Sequence, residues 1–234
     1  MVLKVCVNGG RTSGVPMTPR AYAVDVLRCF ARGAGAVHVH PRDADGRESL
    51  DPEVIGAAVR AIRETCPELP VGVSTGAWIE PDPALRVEAV RRWTVLPDFA
   101  SVNVHEDGAE AVAAALYEHG VGVEAGIWTV DAARRWLRWR TPTLRVLLEC
   151  MEGSAAEALA NAHAMLEFVL GSAWPQARVV LHGEGPATWE VFRRAVALRL
   201  DTRIGLEDTL VLPDGTPAPD NAALVDAAVA LGAR

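Results

Sequence analysis

No stretch of this 234-residue sequence approaches the ~18 consecutive apolar residues that a membrane span needs. Positive charge is also short: 23 Lys and Arg stand against 30 Asp and Glu, a net charge of −7. That balance lacks the electrostatic footprint of a general nucleic-acid binder and the basic face of a protein that lies on anionic lipid. The opening residues, Met1 to Asn8, carry no basic leader ahead of their apolar stretch, so they do not read as a secretion signal. Cysteine is sparse. Cys6, Cys29, Cys66 and Cys150 form no CxxC pair and no stapling pattern, which points to reduced thiols in a cytoplasmic protein. Cys6 and Cys150 fall in strand-like runs and Cys29 in a helix-like one, settings of core residues rather than nucleophiles. Two signatures are absent as well. The Gly9–Gly14 loop lacks the GxGxxG spacing of a dinucleotide fold, and no GxSxG elbow suggests a serine hydrolase.

What is present is a repeat of short β-branched runs, each followed by an amphipathic stretch. The runs are Lys4–Asn8, Ala36–His40, Val71–Thr75, Phe99–Val104, Gly120–Gly126, Leu144–Cys150, Ala177–Glu184 and Asp201–Glu207. The stretches between them read as helices near 19–32, 53–65, 83–93, 109–118, 130–139, 154–170, 187–198 and 219–231. There is no linker and no composition break. Eight strand–helix units in a chain of this size predict a single (β/α)8 TIM barrel, one domain over residues 1–234, since such barrels run as one domain at ~200–250 residues. An open doubly wound sheet is the alternative; it has fewer units and a Gly-rich phosphate loop.

Strand parity sorts the side chains. Residues two apart share a face. Val37 and Val39 oppose His38 and His40. Val102 and Val104 oppose Ser101 and Asn103, and Val121 and Val123 oppose Gly122 and Glu124. Val179 and Leu181 oppose Val180, His182 and Glu184. Ile204 and Leu206 oppose Arg203, Gly205 and Glu207. The apolar sets suit the helices, leaving polar sets to point inward and gather at the C-terminal strand ends, where barrel enzymes keep their chemistry. Buried polar groups without partners cost ~1–3 kcal/mol each, so a polar lining from several strands calls for a function.

His38 and His40, at i and i+2 before Pro41-Arg42-Asp43, project side by side as two ligands of one divalent metal must. A hydrogen-bonded pair of barrel histidines is the structural alternative. A third ligand is needed. Glu207 is the best carboxylate, with His105, His182, Glu149 and Glu184 also at strand ends; His2Glu with open positions suits catalytic Zn²⁺. Asp208 starts on the face opposite Glu207, so it reaches the site only if the strand ends and the chain turns; otherwise it caps a helix. Ser74-Thr75-Gly76 offers a hydroxyl to a substrate carboxylate or carbonyl, or forms a local turn. The basic, aromatic segment Arg134–Arg140 reads as a helix covering barrel surface through its tryptophans or as a subunit contact, and a homo-oligomer is expected.

These residues together resemble the beta-keto acid cleavage enzyme family. The segment from Gly33 to Arg47, around His38-Val39-His40-Pro41-Arg42-Asp43, is similar to the family's most specific motif. Val73–Gly76 fits its third strand, Arg203-Ile204-Gly205-Leu206-Glu207-Asp208 its eighth, and the resemblance runs from Val5 to the C-terminus. It implies a (β/α)8 barrel with one Zn²⁺ held by His38, His40 and Glu207. Asp208 would be the catalytic base, oriented or assisted by Arg203, and Ser74 would contact substrate. Asn8, Arg11, Asn103 and Glu124 are further substrate-binding candidates. The implied reaction is a retro-Claisen-type exchange: a beta-keto acid plus acetyl-CoA gives acetoacetate plus the CoA thioester of the remainder. A metal-dependent hydrolase or lyase using activated water is the alternative; an acetyl-CoA requirement separates the two. A non-catalytic metal-binding barrel that senses a small acid is a third.

The chain departs from the family in being shorter, with a clipped segment Asn103–Gly108. It ends its seventh strand on His182-Gly183-Glu184, where the family has a Gly-Ile-Gly-Arg type of sequence. Arg11 stands where a relative acting on an ammonium-bearing substrate has an acidic residue. If Arg11 points inward, beside Arg42 and Arg203, the site favours neutral or anionic side chains. Like charges ~4 Å apart at an effective dielectric of ~20 cost on the order of 4 kcal/mol.

Overall fold

The structure, a computed structural model, describes residues 1–172 and 178–233. Among these residues the strands are β1 (Leu3–Cys6), β2 (Ala36–Val39), β3 (Val71–Ser74), β4 (Phe99–Asn103), β5 (Gly122–Ile127), β6 (Arg145–Cys150), β7 (Arg178–Gly183) and β8 (Thr202–Ile204). The helices are α1 (Pro19–Phe30), α2 (Pro52–Thr65), α3 (Pro83–Arg91), α4 (Ala109–Glu118), α5 (Val130–Trp136), α6 (Ala155–Leu170), α7 (Thr188–Ala197) and α8 (Asn221–Ala230). Each strand and helix lies within or beside its expected span. Ala177, the first residue of the expected seventh run, lies outside the described residues.

The strands are parallel and run in ladder order β7-β6-β5-β4-β3-β2-β1-β8. The ring closes between its ends: the Leu181 amide donates to the Asp201 carbonyl (2.9 Å), and Val180 bridges Asp201 in parallel. This is a (β/α)8 barrel. Several helix starts are written locally. Thr18, Asp51 and Asp82 each precede a proline and accept a backbone N–H from the first turn with their side-chain oxygen. Proline at the first helical position loses no helical hydrogen bond, so Pro52 opens α2 one residue before its expected start.

Outward strand residues and inward helix faces form one buried apolar shell, from Val5, Val37 and Val73 to Val123, Leu148 and Leu181. Trp136 and Trp139 are buried, so the basic aromatic segment covers the barrel from within this chain, and α5 ends before Leu137. All four cysteines are free and buried. Among the described residues no helix is long and apolar enough to cross a membrane.

The N-terminal layer of the barrel interior is closed by charge. Lys4 Nζ donates to Glu124 Oε2 (2.5 Å) and Arg145 Nε to Glu124 Oε1 (2.6 Å). Arg145 lays its guanidinium over the Phe99 ring at 4.3 Å from the centroid. A Cβ on Gly72 would sit 2.0 Å from that ring, so β3 needs a glycine there.

Candidate metal and substrate site

Above that layer the inward residues open into a cavity of about 250 Å³ at the C-terminal strand ends. It is lined by His38 and His40 from β2 and its end, Ser74 from β3, Asn103 from β4, Glu149 from β6, and Arg203 and Glu207 from β8 and beyond, among others. His38, His40 and Glu207 each offer one ligand atom, and the three atoms lie within 4.8 Å of one another. His40 Nε2 is 3.6 Å from Glu207 Oε2. His38 Nδ1 and Glu207 Oε2 are buried without a hydrogen-bond partner. Two imidazoles and a carboxylate with orphaned buried atoms fit a divalent cation better than a closed hydrogen-bond network, which would have used those atoms.

The second layer around the histidines was not expected. His40 Nδ1 lies 2.7 Å from Glu48 Oε2, and Trp78 Nε1 donates to that same oxygen (2.9 Å). The Trp78 ring stacks on His40 with centroids 6.1 Å apart. A carboxylate on the far ring nitrogen turns the other nitrogen toward the ligand position and fixes the ring. Glu48 gets there because the Asp43–Arg47 turn doubles the chain back, giving an antiparallel bridge between Arg42 and Glu48. The Asp45-Gly46 pair was the available signal. Burial lowers His38 well below its ordinary value. Burial works the same way on His40, but Glu207 and Glu48 outweigh it and raise that ring to about 9. Burial opposes the Glu207 carboxylate too, yet Arg203 and His40 hold it well below the usual range.

Arg203 joins two carboxylates. Its Nη2 donates to Glu207 Oε1 (2.8 Å) and to Asp208 Oδ1 (2.6 Å), and its Nε to Asp208 Oδ1 (3.0 Å). The β8 ladder ends at Ile204. A Cβ on Gly205 would sit 1.9 Å from the Cys6 carbonyl oxygen, so only glycine lets the chain turn there. The Asp208 and Thr209 amides both fold back onto the Gly205 carbonyl, and Asp208 swings inward. It stops one layer behind the cavity: Asp208 is fully buried and sits behind Arg203 rather than on the wall. Its Oδ2 has no partner.

The rival third ligands sit elsewhere. His182 Nε2 is 3.1 Å from Glu149 Oε2, and Trp128 Nε1 donates to Glu149 Oε1 (3.1 Å). His182 Nδ1 faces Asp208 Oδ1 at 3.6 Å. His105 is exposed, with its ring tilted against that of Trp128 at 4.5 Å between centroids. Glu184 lines the cavity apart from the histidine pair.

The substrate candidates divide. Ser74 and Asn103 line the cavity; Asn103 donates to Glu106 (2.9 Å), and Ser74 Oγ accepts from the Gly76 amide (3.3 Å). Arg11 also lines it, but its Nε donates to the Leu206 carbonyl and its Nη2 to the Glu207 carbonyl (3.4 Å), so part of its fork is spent on the backbone. Arg42 is spent likewise, on the Gly9, Arg11 and Gly46 carbonyls. Asn8 and Glu124, also expected to bind substrate, lie off the cavity wall. Asn8 is fully buried and uses its amide on His40: Nδ2 donates to the His40 carbonyl (2.8 Å) and Oδ1 accepts from its amide (2.9 Å). It fixes the backbone of the second histidine. Glu124 is fully buried in the Lys4–Arg145 layer, off the cavity wall. Burial opposes its ionisation, but Lys4 and Arg145 lower it to about 2.

Relatives agree with this architecture. A 3-keto-5-aminohexanoate cleavage enzyme from Fusobacterium nucleatum subsp. nucleatum is 25% identical over 238 aligned residues, covering 93% of this chain and 84% of that one. An enzyme of the same name from Acetoanaerobium sticklandii is 22% identical with the same coverage. The apo structure of ObcA superposes with a TM-score of 0.71 at 18% identity; it covers 91% of this chain, while this chain spans 60% of ObcA. ObcA has also been solved with oxaloacetate, and with a C4-CoA adduct and oxalate. The model of the beta-keto acid cleavage enzyme family matches residues 1–234 in full, and the chain belongs to that family of enzymes.

Proposed function

We propose that this enzyme exchanges acyl groups between a beta-keto acid and acetyl-CoA, giving acetoacetate and the CoA thioester of the remaining acyl chain. The convergence of His38, His40, Glu207 and Arg203 on one cavity carries the reading. Oxaloacetate, held by ObcA, is itself a beta-keto acid, and the C4-CoA adduct on that barrel supports CoA as co-substrate. The curated relatives are named for cleaving a 3-keto acid.

His38, His40 and Glu207 would hold Zn²⁺, which when bound supplies Lewis-acid stabilisation of developing enolate charge. Glu48 and Trp78 keep the His40 ring turned toward it. Asn8 holds the His40 main chain. Arg203 presents a fork suited to a carboxylate, and Ser74 and Asn103 offer polar groups to the keto acid from the β3 and β4 side. Asp208 is the base we assign. A substrate carboxylate that draws the Arg203 fork onto itself replaces one carboxylate partner by another and uncovers Asp208 for the proton. A panel of beta-keto acids, run with and without acetyl-CoA and assayed for acetoacetate, tests the reading. Turnover without acetyl-CoA, or none at all, overturns it.

A further inference from the structure

Glu184 closes β7 on the inner face. Its neighbour Gly183 points outward at α7, where a Cβ would meet Val191 at 3.0 Å, so residues 182 and 184 share the inward side. The Glu184 amide donates to the Cys150 carbonyl (3.0 Å), and the next amide, of Gly185, donates to the Asp208 carbonyl (2.8 Å). These bonds fix the residue between the ends of β6 and β8. Glu184 lines the cavity, as do Arg203, Glu149 and Glu207.

The other acids near the cavity are engaged. Glu149 is bound by Trp128 and His182, Glu207 faces His40 and Arg203, and Asp208 is sealed behind Arg203. Among the described residues the Glu184 side chain has no hydrogen bond and no ion pair. We propose that Glu184 is a second acid–base group of this site, one that touches substrate and returns a proton to the carbon left as an enolate when the carbon–carbon bond breaks. The proposal rests on the beta-keto acid reading. In the transfer the Glu184 O–H bond breaks, its electron pair stays on the carboxylate, and the enolate electron pair forms the new C–H bond. Asp208 takes one proton at the start and Glu184 gives one at the end, so the protons balance over the cycle, and exchange with solvent water resets both groups.

The surroundings suit that task. Burial is the largest influence on Glu184, and Asp208 and Glu207 after β8 and Glu149 on β6 add to it against Arg203, raising the carboxyl to about 7. An acid–base group works best when it titrates near the working pH.

The test uses the metal-loaded enzyme with Glu184→Gln and Glu184→Asp, each checked for unchanged metal content. An infrared difference titration needs no substrate: a protonated-carboxyl band titrating above the ordinary carboxylate range is expected in the wild type and absent from Glu184→Gln. In turnover, Glu184→Gln should lose ~10²-fold in kcat with KM within about threefold, and lose the limb of the kcat–pH profile near neutrality. Glu184→Asp should recover at least tenfold of that loss. An active wild type whose Glu184→Gln variant keeps kcat and the same limb overturns the proposal, as does the absence of the band. If the wild type turns over no beta-keto acid, the functional reading falls and the catalytic role with it, while the infrared band still reports the carboxyl itself.

Discussion

The barrel interior holds two charged layers built by the same strand parity, and they differ in how their atoms are satisfied. In the lower one Glu124 has a cation on each carboxylate oxygen, and Arg145 rests on Phe99 with its Nη2 the one buried atom of the layer lacking a hydrogen-bond partner among the described residues. In the upper one His38 Nδ1, His182 Nδ1, Glu207 Oε2 and Asp208 Oδ2 are buried without a hydrogen-bond partner. Buried charge is stable when each ion is paired and hydrogen-bonded, and costly when it is not. The lower layer is therefore a plug. The upper layer leaves unmet demand at the strand ends, which a metal and a bound acid can meet. The two layers differ in their carboxylates: both oxygens of Glu124 are paired, while Glu207 Oε2 and Asp208 Oδ2 have no hydrogen-bond partner.

The comparison breaks most visibly at the histidines. The double variant His38→Ala/His40→Ala should lose bound divalent metal and at least ~10⁴-fold in turnover, with far-UV circular dichroism unchanged. Retained metal by elemental analysis would sink the ligand assignment. Next comes the plug. Glu124→Gln leaves Lys4 and Arg145 without a counter-charge and should lower unfolding stability by ~3–5 kcal/mol in urea, with kcat of the folded enzyme little changed. A large kcat loss at full stability would return Glu124 to the substrate side.

The same residue sets an acid limit. Its folded value of about 2 lies below its ordinary 4.5, so its contribution is present above ~4.5 and disappears as pH falls toward 2. That contribution is on the order of 3 kcal/mol, and Glu124→Gln should flatten the wild-type stability loss across this window. A smaller effect, ~10²-fold in kcat with metal retained, is expected for Asp208→Asn, whose amide cannot take a proton. Near-normal kcat removes Asp208 from the chemistry. The smallest is Glu48→Gln: about tenfold weaker metal binding by competition with a chelator, since only the outer support of His40 changes.

Much of this was readable along the chain. The apolar–polar alternation of β2 placed His38 and His40 on one face, and the helix starts expected at 19, 53 and 83 fall within one residue of those of α1, α2 and α3. Glu207 was legible as the best third ligand because it keeps the parity of Arg203 past the strand. Other placements were not legible. Asn8 looks like any polar residue at a strand end until its amide is seen bridging the His40 main chain. Glu124 has inward parity, which does not say whether an inward residue meets the cavity or the plug; that depends on height in the barrel. Asp208 depended on where β8 stops, which the close approach of Gly205 to Cys6 decides.

The sequence by itself determined the eight-unit barrel, the histidine pair and the inward face of each strand, because periodicity and caps act over a few residues and survive without tertiary context. Only the tertiary structure decided which inward groups meet. Lys4 and Glu124 are 120 residues apart, Glu149 and His182 are 33, and Arg11 reaches the Glu207 carbonyl across 196. Those pairings follow from closure of the ring and from strand register, which set the height of every inward side chain. Height decides whether a charge finds a partner in the plug or faces the cavity without one.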